Sequence, residues 1–402
     1  MAAPKNRLSQ PEFIGLMAMT LATTAFSIDA MLPALPEIAE DLSPDNPNQV
    51  QLIITSFVLG LGLGTFFTGP LSDSIGRRKV VIGGVFLFII GTTIAWLSNT
   101  LEFVLFGRVI MGLGAAGPRV AAVAMTRDLY DGRDMARIMS FIMVVFSLAP
   151  ALAPTIGHYI ILGAGWRSIF IAFGIFAALP ALWLYLRQPE SLDPKNRRPV
   201  RLESMLAATQ QMFAHRTARL SIFVQTLTFG MLFTVLSTTQ QVFDETFGQG
   251  EHFHLWFAAI AVLAATGSLL NARLVGALGM RAMVKGMFIA QIGLTLVMVA
   301  TATVDAPYWI AFGTYLIWVI GNFFQVGLTI GNLNALAMEE MGHIAGLAAS
   351  VIAAFSTVGA VMLAAPTALL YDGTPLPMGI ATLVMASAAL WLTTLIKRPG
   401  ET

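Results

Sequence analysis

Three charged side chains interrupt stretches that are otherwise apolar, and they are the residues best placed to do chemistry. Asp29 lies within residues 13–36, and Arg108 and Arg119 lie within residues 103–126. An acid at membrane depth is functional by default because it can take up and release a proton, and a buried arginine requires a partner. We therefore predict that Asp29 and Arg108 form a proton-coupling pair. The alternative is that Asp29 caps a helix end in water.

Arg119 follows Arg108 on the same stretch and lies within about 20° of it around a helix. One interpretation is that Arg119 binds an anionic group of a substrate. The other is that it pairs with Asp73 or Asp128, or extends its side chain to water at the helix end.

A polar segment at 69–79 combines glycines, an acid and three basic residues: Gly69-Pro-Leu-Ser-Asp73-Ser-Ile-Gly76-Arg77-Arg78-Lys79. Glycines permit sharp turns, and an acid beside basic residues can form charged contacts that open and close. We predict a gate that includes Gly69, Asp73, Gly76, Arg77 and Arg78. A loop that only sets membrane orientation would explain the basic residues but not the glycines and Asp73 together.

Two further groups of residues are candidates for a functional role. Pro150 and Pro154, followed by Gly157, predict a bend where a helix could flex, and the neighbouring His158 is interpreted as interfacial. The second half of the chain carries amides but no acid in its apolar stretches. Amides can orient a neutral amphipathic substrate or simply bond neighbouring helices. The predicted cavity residues are Phe26, Gln225, Asn322 and Gln325.

Membrane-spanning helices must position these residues. The 402 residues are 56% hydrophobic and 11% charged, with a mean hydropathy of +0.75, whereas soluble domains carry roughly 25% charged residues. Twelve stretches are long enough to cross the ~30 Å hydrocarbon core. They are residues 13–36, 52–71, 80–98, 103–126, 138–162, 168–186, 220–243, 253–272, 286–304, 308–336, 344–371 and 376–396.

The basic residues predict an orientation. Lys and Arg accumulate in short cytoplasmic loops. With a cytoplasmic N-terminus, every basic residue except Arg108, Arg119 and Arg167 falls at a cytoplasmic loop or helix end. We expect both termini in the cytoplasm of a bacterial inner membrane. The first span lacks a cleavage pattern and is expected to be retained.

A polar connection at 187–219 predicts two domains, residues 1–186 and 220–402, joined by a cytoplasmic linker. A weak repeat supports duplicated six-helix halves. IGRRK at 75–79 corresponds to LGMRA at 278–282, and VAAVAM at 120–125 corresponds to LNALAM at 333–338.

Several function classes are disfavoured. The net charge of +1 argues against a nucleic-acid partner, and the absence of cysteine removes thiolate metal sites and cysteine nucleophiles. We find no phosphate-binding glycine loop and no metal-spaced histidines. No enzyme activity, cofactor or metal is therefore expected.

The segment at 69–79 resembles the loop motif G-x-L-[SA]-D-x-x-G-[RK]-[RK] of the major facilitator superfamily at every specified position. Asp29 to Pro33 is similar to the D-x-x-x-P element of its drug:proton antiporters, and Arg108-x-x-x-Gly112-x-Gly114 to their second signature. The segment around Pro150 and Pro154 resembles G-x-x-x-G-P-x-x-G-G, although Ala149, Ala153 and His158 replace glycines. LPALPEI (32–38), AMTRDLY (124–130), GWRSIF (165–170), PESL (189–192) and AGLAASV (345–351) resemble the Bcr/CflA group.

This resemblance extends over essentially the whole chain and implies an all-α membrane protein with the major facilitator fold. It implies proton-driven export of hydrophobic drugs, such as bicyclomycin- or chloramphenicol-like compounds, by alternating access. Asp29 would be the proton-coupling acid, and Asp128 would face Arg77 at the gate. The expected partners are a small-molecule substrate, protons and the lipid bilayer, with a monomeric chain. Proton-coupled uptake or metabolite export on the same fold is the alternative.

Overall fold

The computed structural model describes residues 8–304 and 306–396. The chain divides into two compact units. Unit 1 consists of Met1–Ala34 and Ser56–Leu202, and unit 2 consists of Leu35–Thr55 and Glu203–Thr402. The boundaries expected from the sequence, at 187 and 219, stay a prediction.

Every long element among the described residues is helical. The helices are α1 Gln10–Asp29, α2 Leu35–Leu42, α3 Leu52–Ile75, α4 Arg77–Leu97, α5 Leu101–Leu129, α6 Gly132–Ala164, α7 Ser168–Arg187, α8 Leu202–Ala214, α9 Arg216–Gln241, α10 Phe253–Leu278, α11 Met280–Thr303, α12 Tyr308–Met338, α13 Ala345–Ala368 and α14 Leu376–Thr394. Within the described ranges, twelve helical segments are long and apolar enough to cross a membrane. This confirms the all-α fold with twelve spans.

The observed helices extend beyond the apolar runs that predict them. The fifth span begins at Gly132 rather than 138, and the fourth runs from Leu101 to Leu129 rather than from 103 to 126. Charged residues such as Arg133 and Asp134 continue the helix outside the apolar run because backbone hydrogen bonding does not require an apolar side chain.

The two units use the same internal packing scheme. In unit 1, α1 packs against α5, α6 and α7, and α4 packs against α5 and α7. In unit 2, α9 packs against α12, α13 and α14, and α11 packs against α12 and α14. Each helix in the second set is the sixth span after its counterpart in the first. This correspondence is the internal repeat that the sequence predicts.

The matching loops also share a backbone conformation. Gly76 precedes α4 with φ 104° and ψ 154°, and Gly279 precedes α11 with φ 85° and ψ 154°. Positive φ disfavours residues with a Cβ atom, so glycine is required at both turns. The pairing of IGRRK with LGMRA therefore has a structural cause.

Helices α4 and α5 make a close backbone contact. A Cβ atom added to Gly84 would lie 2.6 Å from the carbonyl oxygen of Gly114, and one added to Gly114 would lie 2.4 Å from the backbone nitrogen of Phe88. On the side facing α3, a Cβ at Gly112 would lie 2.0 Å from the carbonyl oxygen of Phe57. Small residues allow this approach in lipid, where dispersion contacts hold helices together.

The polar connection at 187–219 contains a helix that the span analysis did not predict. Helix α8 buries Met205, Ala208 and Met212, which share one face. It is attached to α13 by the ring contact of Phe213 with Phe355, whose centroids are 5.0 Å apart. The apolar spacing in LESMLAATQQMF is the signal that would have identified it.

Two neighbouring glycines of α4 test the close contact. We expect Gly84→Ala to lower the free energy of unfolding by about 1–3 kcal/mol, because the added methyl group meets the backbone of α5. Gly83→Ala is the matched control, since a Cβ there meets no atom within 4 Å. It should leave stability unchanged or raise it slightly, because alanine favours helix. The measurement is thermal unfolding in detergent followed by tryptophan fluorescence, and equal midpoints for the two variants would contradict the close contact.

Candidate functional site

Asp29 is the last residue of α1 and is 6% exposed. The same helix carries a series of buried hydroxyl groups: Thr20 donates to the carbonyl of Leu16, and Ser27 donates to that of Thr23, each at 2.7 Å. Within the described residues, the carboxylate of Asp29 has no hydrogen bond or ion pair. Asp29 is therefore a buried acid without a protein partner for its charge.

Arg108 is fully buried on α5, and aromatic rings lie beside it. Its guanidinium carbon is 4.5 Å from the centroid of the Phe57 ring and 5.8 Å from that of Phe173. A cation over an aromatic face is stabilised by the ring quadrupole, more strongly when water is excluded. Across the described part of the chain, Arg108 and Asp29 are not joined by an ion pair. Their coupling stays a prediction.

Phe26 lies between the surroundings of Asp29 and those of Arg108. It lies one turn before Asp29 on α1, and its ring packs edge-on against Phe173 at 5.6 Å and stacks on Phe176 at 4.6 Å. The ring of Phe173 thus contacts both Phe26 and Arg108. The structure places Phe26 in the aromatic group beside Arg108, and its role in a substrate cavity stays a prediction.

Gly157 packs closely beside Asp29. A Cβ atom added to Gly157 would lie 2.3 Å from the carbonyl oxygen of Ala30, the residue after Asp29. Pro150 and Pro154 lie inside α6, which is helical on both sides of them. The proline segment thus brings α6 against the end of α1. Its role as a flexible bend stays a prediction.

Arg77 is the centre of a charged cluster in unit 1. Its guanidinium donates to the carboxylate of Asp128 at 3.0 Å and to the hydroxyl of Ser72 at 3.1 Å, and it forms an ion pair with Asp73. The side chain is largely buried at 7% exposure. These contacts join the end of α3, the start of α4 and the end of α5.

The motif at 69–79 is not a loop throughout, contrary to the interpretation made from the sequence. Helix α3 continues to Ile75, so Gly69 and Asp73 lie inside its last turns, and only Gly76 interrupts the helix. This geometry explains the spacing of the ion pair. Asp73 and Arg77 are four residues apart and remain on one face across the turn.

The sequence analysis missed the residue that caps α4. Glu190 accepts hydrogen bonds from the backbone N–H groups of Arg77 at 2.9 Å and Arg78 at 3.2 Å. Helix α4 begins after Gly76, which has no side chain to cap it. A carboxylate at a helix N-terminus satisfies unpaired donors and is favoured by the helix dipole. Glu190 lies in PESL at 189–192, a segment that resembles the Bcr/CflA group but whose sequence does not indicate a helix cap.

Two further hydrogen bonds attach the segment around Glu190 to the acids that bind Arg77. The hydroxyl of Ser191 donates to Asp128 at 2.9 Å, and the backbone N–H of Arg198 donates to the carbonyl of Asp73 at 3.0 Å. We call residues 190–198 the strap. Both acids that bind Arg77 are thus also bound by the strap.

Arg119 is half-buried on α5. Of the two acids proposed for it, Asp73 and Asp128, both are engaged by Arg77. No ion pair or hydrogen bond of Arg119 occurs among the described residues. The anionic-substrate interpretation and the extension to water both stay open.

In unit 2, a set of buried amides has unsatisfied polar atoms. Asn322 donates to the carbonyl of Trp318 at 2.9 Å, but its side-chain oxygen has no partner among the described residues. The same holds for both polar atoms of Gln291 and Gln325, and for the oxygen of Gln225. A buried polar group without a hydrogen-bond partner lowers the free energy of unfolding by about 1–3 kcal/mol. The oxygens can therefore accept, and the nitrogens of Gln291 and Gln325 can donate, hydrogen bonds with water or a ligand.

The geometry and the comparisons define the class of protein. Twelve apolar helical segments within the described residues, together with a buried acid and an ion-paired turn between spans two and three, are typical of a polytopic transporter. The chain belongs to the Major Facilitator Superfamily, whose family profile matches residues 17–365. It is a multi-pass membrane transporter and not an enzyme.

Individual relatives support the same assignment. A bicyclomycin resistance protein homolog of Haemophilus influenzae is 30% identical over 354 residues, which are 87% of this chain and 86% of the relative. The multidrug resistance protein MdtL of Escherichia coli is 30% identical over 247 residues, 60% of each chain. The sequence resemblance to the Bcr/CflA group is confirmed.

A solved structure shows the same fold. The xylose transporter XylE from E. coli, in a partially occluded inward open conformation, superposes with a TM-score of 0.75 at 16% identity, and the match covers 98% of this chain and all of that one. At this identity the similarity concerns the fold alone.

We expect Glu190→Ala to expose the start of α4. Hydrogen exchange at the amides of Arg77 and Arg78 should accelerate by about tenfold or more, because a charged acceptor is lost from two buried donors. Glu203→Ala, which removes an exposed acid from α8, is the control. Mass-spectrometric hydrogen exchange on peptides containing 76–80 makes the measurement. Unchanged exchange in these peptides would show that Glu190 does not cap the helix.

Proposed function

We propose that this transporter exports small amphipathic drugs or related hydrophobic compounds in exchange for protons. The observation that carries the proposal is the buried Asp29 without a protein partner for its charge. An uncompensated carboxylate among apolar side chains is unfavourable, so a proton is the group that neutralises it. Uptake and release of that proton is then linked to the conformation that gives water access to Asp29.

The charged cluster at Arg77 supports alternating access. Its contacts join three helix ends and the strap, so they can exist in only one arrangement of those elements. If these contacts break together, the helix ends have two alternative arrangements, one bonded and one open, and a gate requires two such states. We assign the gate to Gly69, Asp73, Gly76, Arg77, Arg78 and Asp128.

The substrate class is inferred from two sources. The relatives named for bicyclomycin resistance and multidrug resistance support hydrophobic drugs as substrates. The unsatisfied amides of unit 2, including Gln225, Asn322 and Gln325, supply uncharged hydrogen-bonding groups. They suit a neutral or weakly charged molecule, which would satisfy them while bound. The same amides also suit a polar metabolite, so proton-coupled metabolite export or uptake is the second candidate.

The cellular setting is proposed from the distribution of basic residues. Both termini would lie in the cytoplasm of a bacterial inner membrane, with the strap on the cytoplasmic side, and the chain would act as a monomer. Asp305, expected on the opposite side, lies outside the described residues.

The test of proton coupling is Asp29→Asn in proteoliposomes with an imposed pH gradient and radiolabelled chloramphenicol. Wild-type protein should accumulate the drug against its gradient. The variant should lose at least about 90% of that accumulation while retaining equilibrative exchange, because an amide cannot carry the proton. Glu40→Gln, an exposed acid in α2, is the control. Full accumulation by Asp29→Asn would remove Asp29 from the mechanism, and no transport by wild-type protein would exclude this drug as substrate.

The orientation is tested with single cysteines in this cysteine-free chain. Cysteine at 251, between α9 and α10, should react with a membrane-impermeant maleimide added to intact cells. Cysteine at 198, in the strap, should react only after the membrane is opened. The reverse pattern would overturn the proposed orientation.

A further inference from the structure

Unit 2 contains a cavity of about 260 Å³ away from the buried amides. It lies where α11 ends and where α12 and α14 begin. Aromatic rings, a thioether and hydroxyl groups form its walls, contributed by Phe247, Tyr308, Tyr315, Met298, Thr246 and Thr301. None of the lining residues that the structure describes carries a charge.

The aromatic walls are held in place by hydrogen bonds and ring contacts. The hydroxyl of Tyr308 donates to the carbonyl of Phe247 at 2.7 Å and accepts from the amide of Gln249 at 3.1 Å. The rings of Phe247 and Tyr315 lie 5.2 Å apart, and Tyr315 is 1% exposed. Such a wall does not have to reorganise when a ligand enters, which favours binding.

A π-helical turn forms one side of this region. Val242–Thr246 extends α9 by one wide turn and places Thr246 at the cavity. Turns of this kind are uncommon and occur frequently at functional sites.

The hydroxyl hydrogens around the cavity are already used within the protein. Thr246 donates to the carbonyl of Gly373 at 2.9 Å, and Thr301 donates to that of Met298 at 2.9 Å. A third lining hydroxyl, that of Thr374, donates to Asp372 at 2.6 Å. A hydroxyl oxygen has two lone pairs, and that of Thr374 uses one to accept from the backbone N–H of Leu376 at 3.3 Å. The remaining lone pairs make the walls acceptors rather than donors.

The neighbouring phenol is also neutral. Tyr371 lies beside Thr246, with 2.9 Å between their oxygens. Burial raises the pKa of Tyr371 to about 12. It therefore stays protonated and donates to Thr246, whose own hydrogen is engaged with Gly373.

We propose that this cavity binds a neutral planar aromatic molecule of one or two fused rings that carries one hydroxyl or N–H donor. The aromatic rings and the thioether of Met298 would pack against the flat ring system of the ligand. The hydroxyl oxygens of the lining would accept a hydrogen bond from its single donor. The absence of charge on the described lining disfavours ions. The volume of about 260 Å³ lies just below the ~300–1,000 Å³ of drug-sized pockets and matches a ligand of one or two rings. The site uses neither Asp29 nor the gate and is independent of the proposed transport cycle.

The experiment uses the full chain in nanodiscs and three naphthalene probes. A single cysteine replaces Ala311, which lines the cavity. Its labelling by N-ethylmaleimide should slow markedly with 2-naphthol. With 2-methoxynaphthalene, which lacks the donor, protection should require about fivefold more probe. Naphthalene-2-sulfonate, which carries a charge, should not protect.

Gly313→Cys on the same helix is the matched control, because its Cβ faces open space and it is not part of the cavity lining. Equal protection at 311 and 313 would mean that the probe only partitions into lipid. Equal protection by the first two probes would mean that the cavity binds apolar rings without a hydrogen bond to the donor. Either result, or no protection at 311, overturns the proposal.

A filled-cavity variant provides an independent measurement. Ala302→Phe in the Ala311→Cys background places a ring in the cavity and should abolish protection by 2-naphthol. An unchanged unfolding midpoint would show that the variant is folded. Undiminished protection in that folded variant would place the bound probe elsewhere and overturn the proposal.

Discussion

The hydrocarbon core of a bilayer offers no hydrogen-bonding partner, and this constraint decides how every polar group in the spans is arranged. Buried hydroxyls such as Thr20 and Ser27 bond back to carbonyls of their own helix. Glycines allow α4 and α5 to meet backbone to backbone, because apolar side chains gain little by leaving lipid for each other. Polar atoms that remain unsatisfied after this arrangement, in the amides of unit 2, then stand out as candidates for a ligand.

The need of polar groups for hydrogen-bond partners also explains the cluster at Arg77. A positive-φ glycine is needed to turn from α3 into α4, and glycine leaves the start of α4 without a side-chain cap. The strap supplies that cap with Glu190 and binds Asp128 through Ser191. Gly76 therefore allows the turn but leaves the start of α4 uncapped, and the strap, whose Glu190 lies 113 residues after Arg77, provides the cap. The Arg77 cluster and the strap form one hydrogen-bonded assembly for this reason.

Features of the fold that depend on neighbouring residues in the sequence could be predicted from local patterns. Twelve spans follow from hydropathy, and the turns at Gly76 and Gly279 follow from a repeated glycine. The cap by Glu190 was not predictable, because it joins residues 113 positions apart and an isolated glutamate has no pattern. Similarly, the sequence around Arg108 does not specify which side chains surround its guanidinium. Phe57 and Phe173 come from two other helices, and only the packing selects them.

The contrast between Arg108 and Asp29 bears on how coupling can work. Aromatic faces stabilise a buried cation, and the two phenylalanine rings lie beside the guanidinium of Arg108. Asp29, in turn, has no cation held against it in the described structure. A permanent ion pair would make the acid's charge part of the fold, and exchanging its proton would disturb that fold. Because no such pair holds Asp29 among the described residues, protonation changes the charge of this side chain without breaking an ion pair, close to where Gly157 packs against Ala30. A local charge change beside a tight backbone contact is the kind of event that a two-state helix arrangement can amplify.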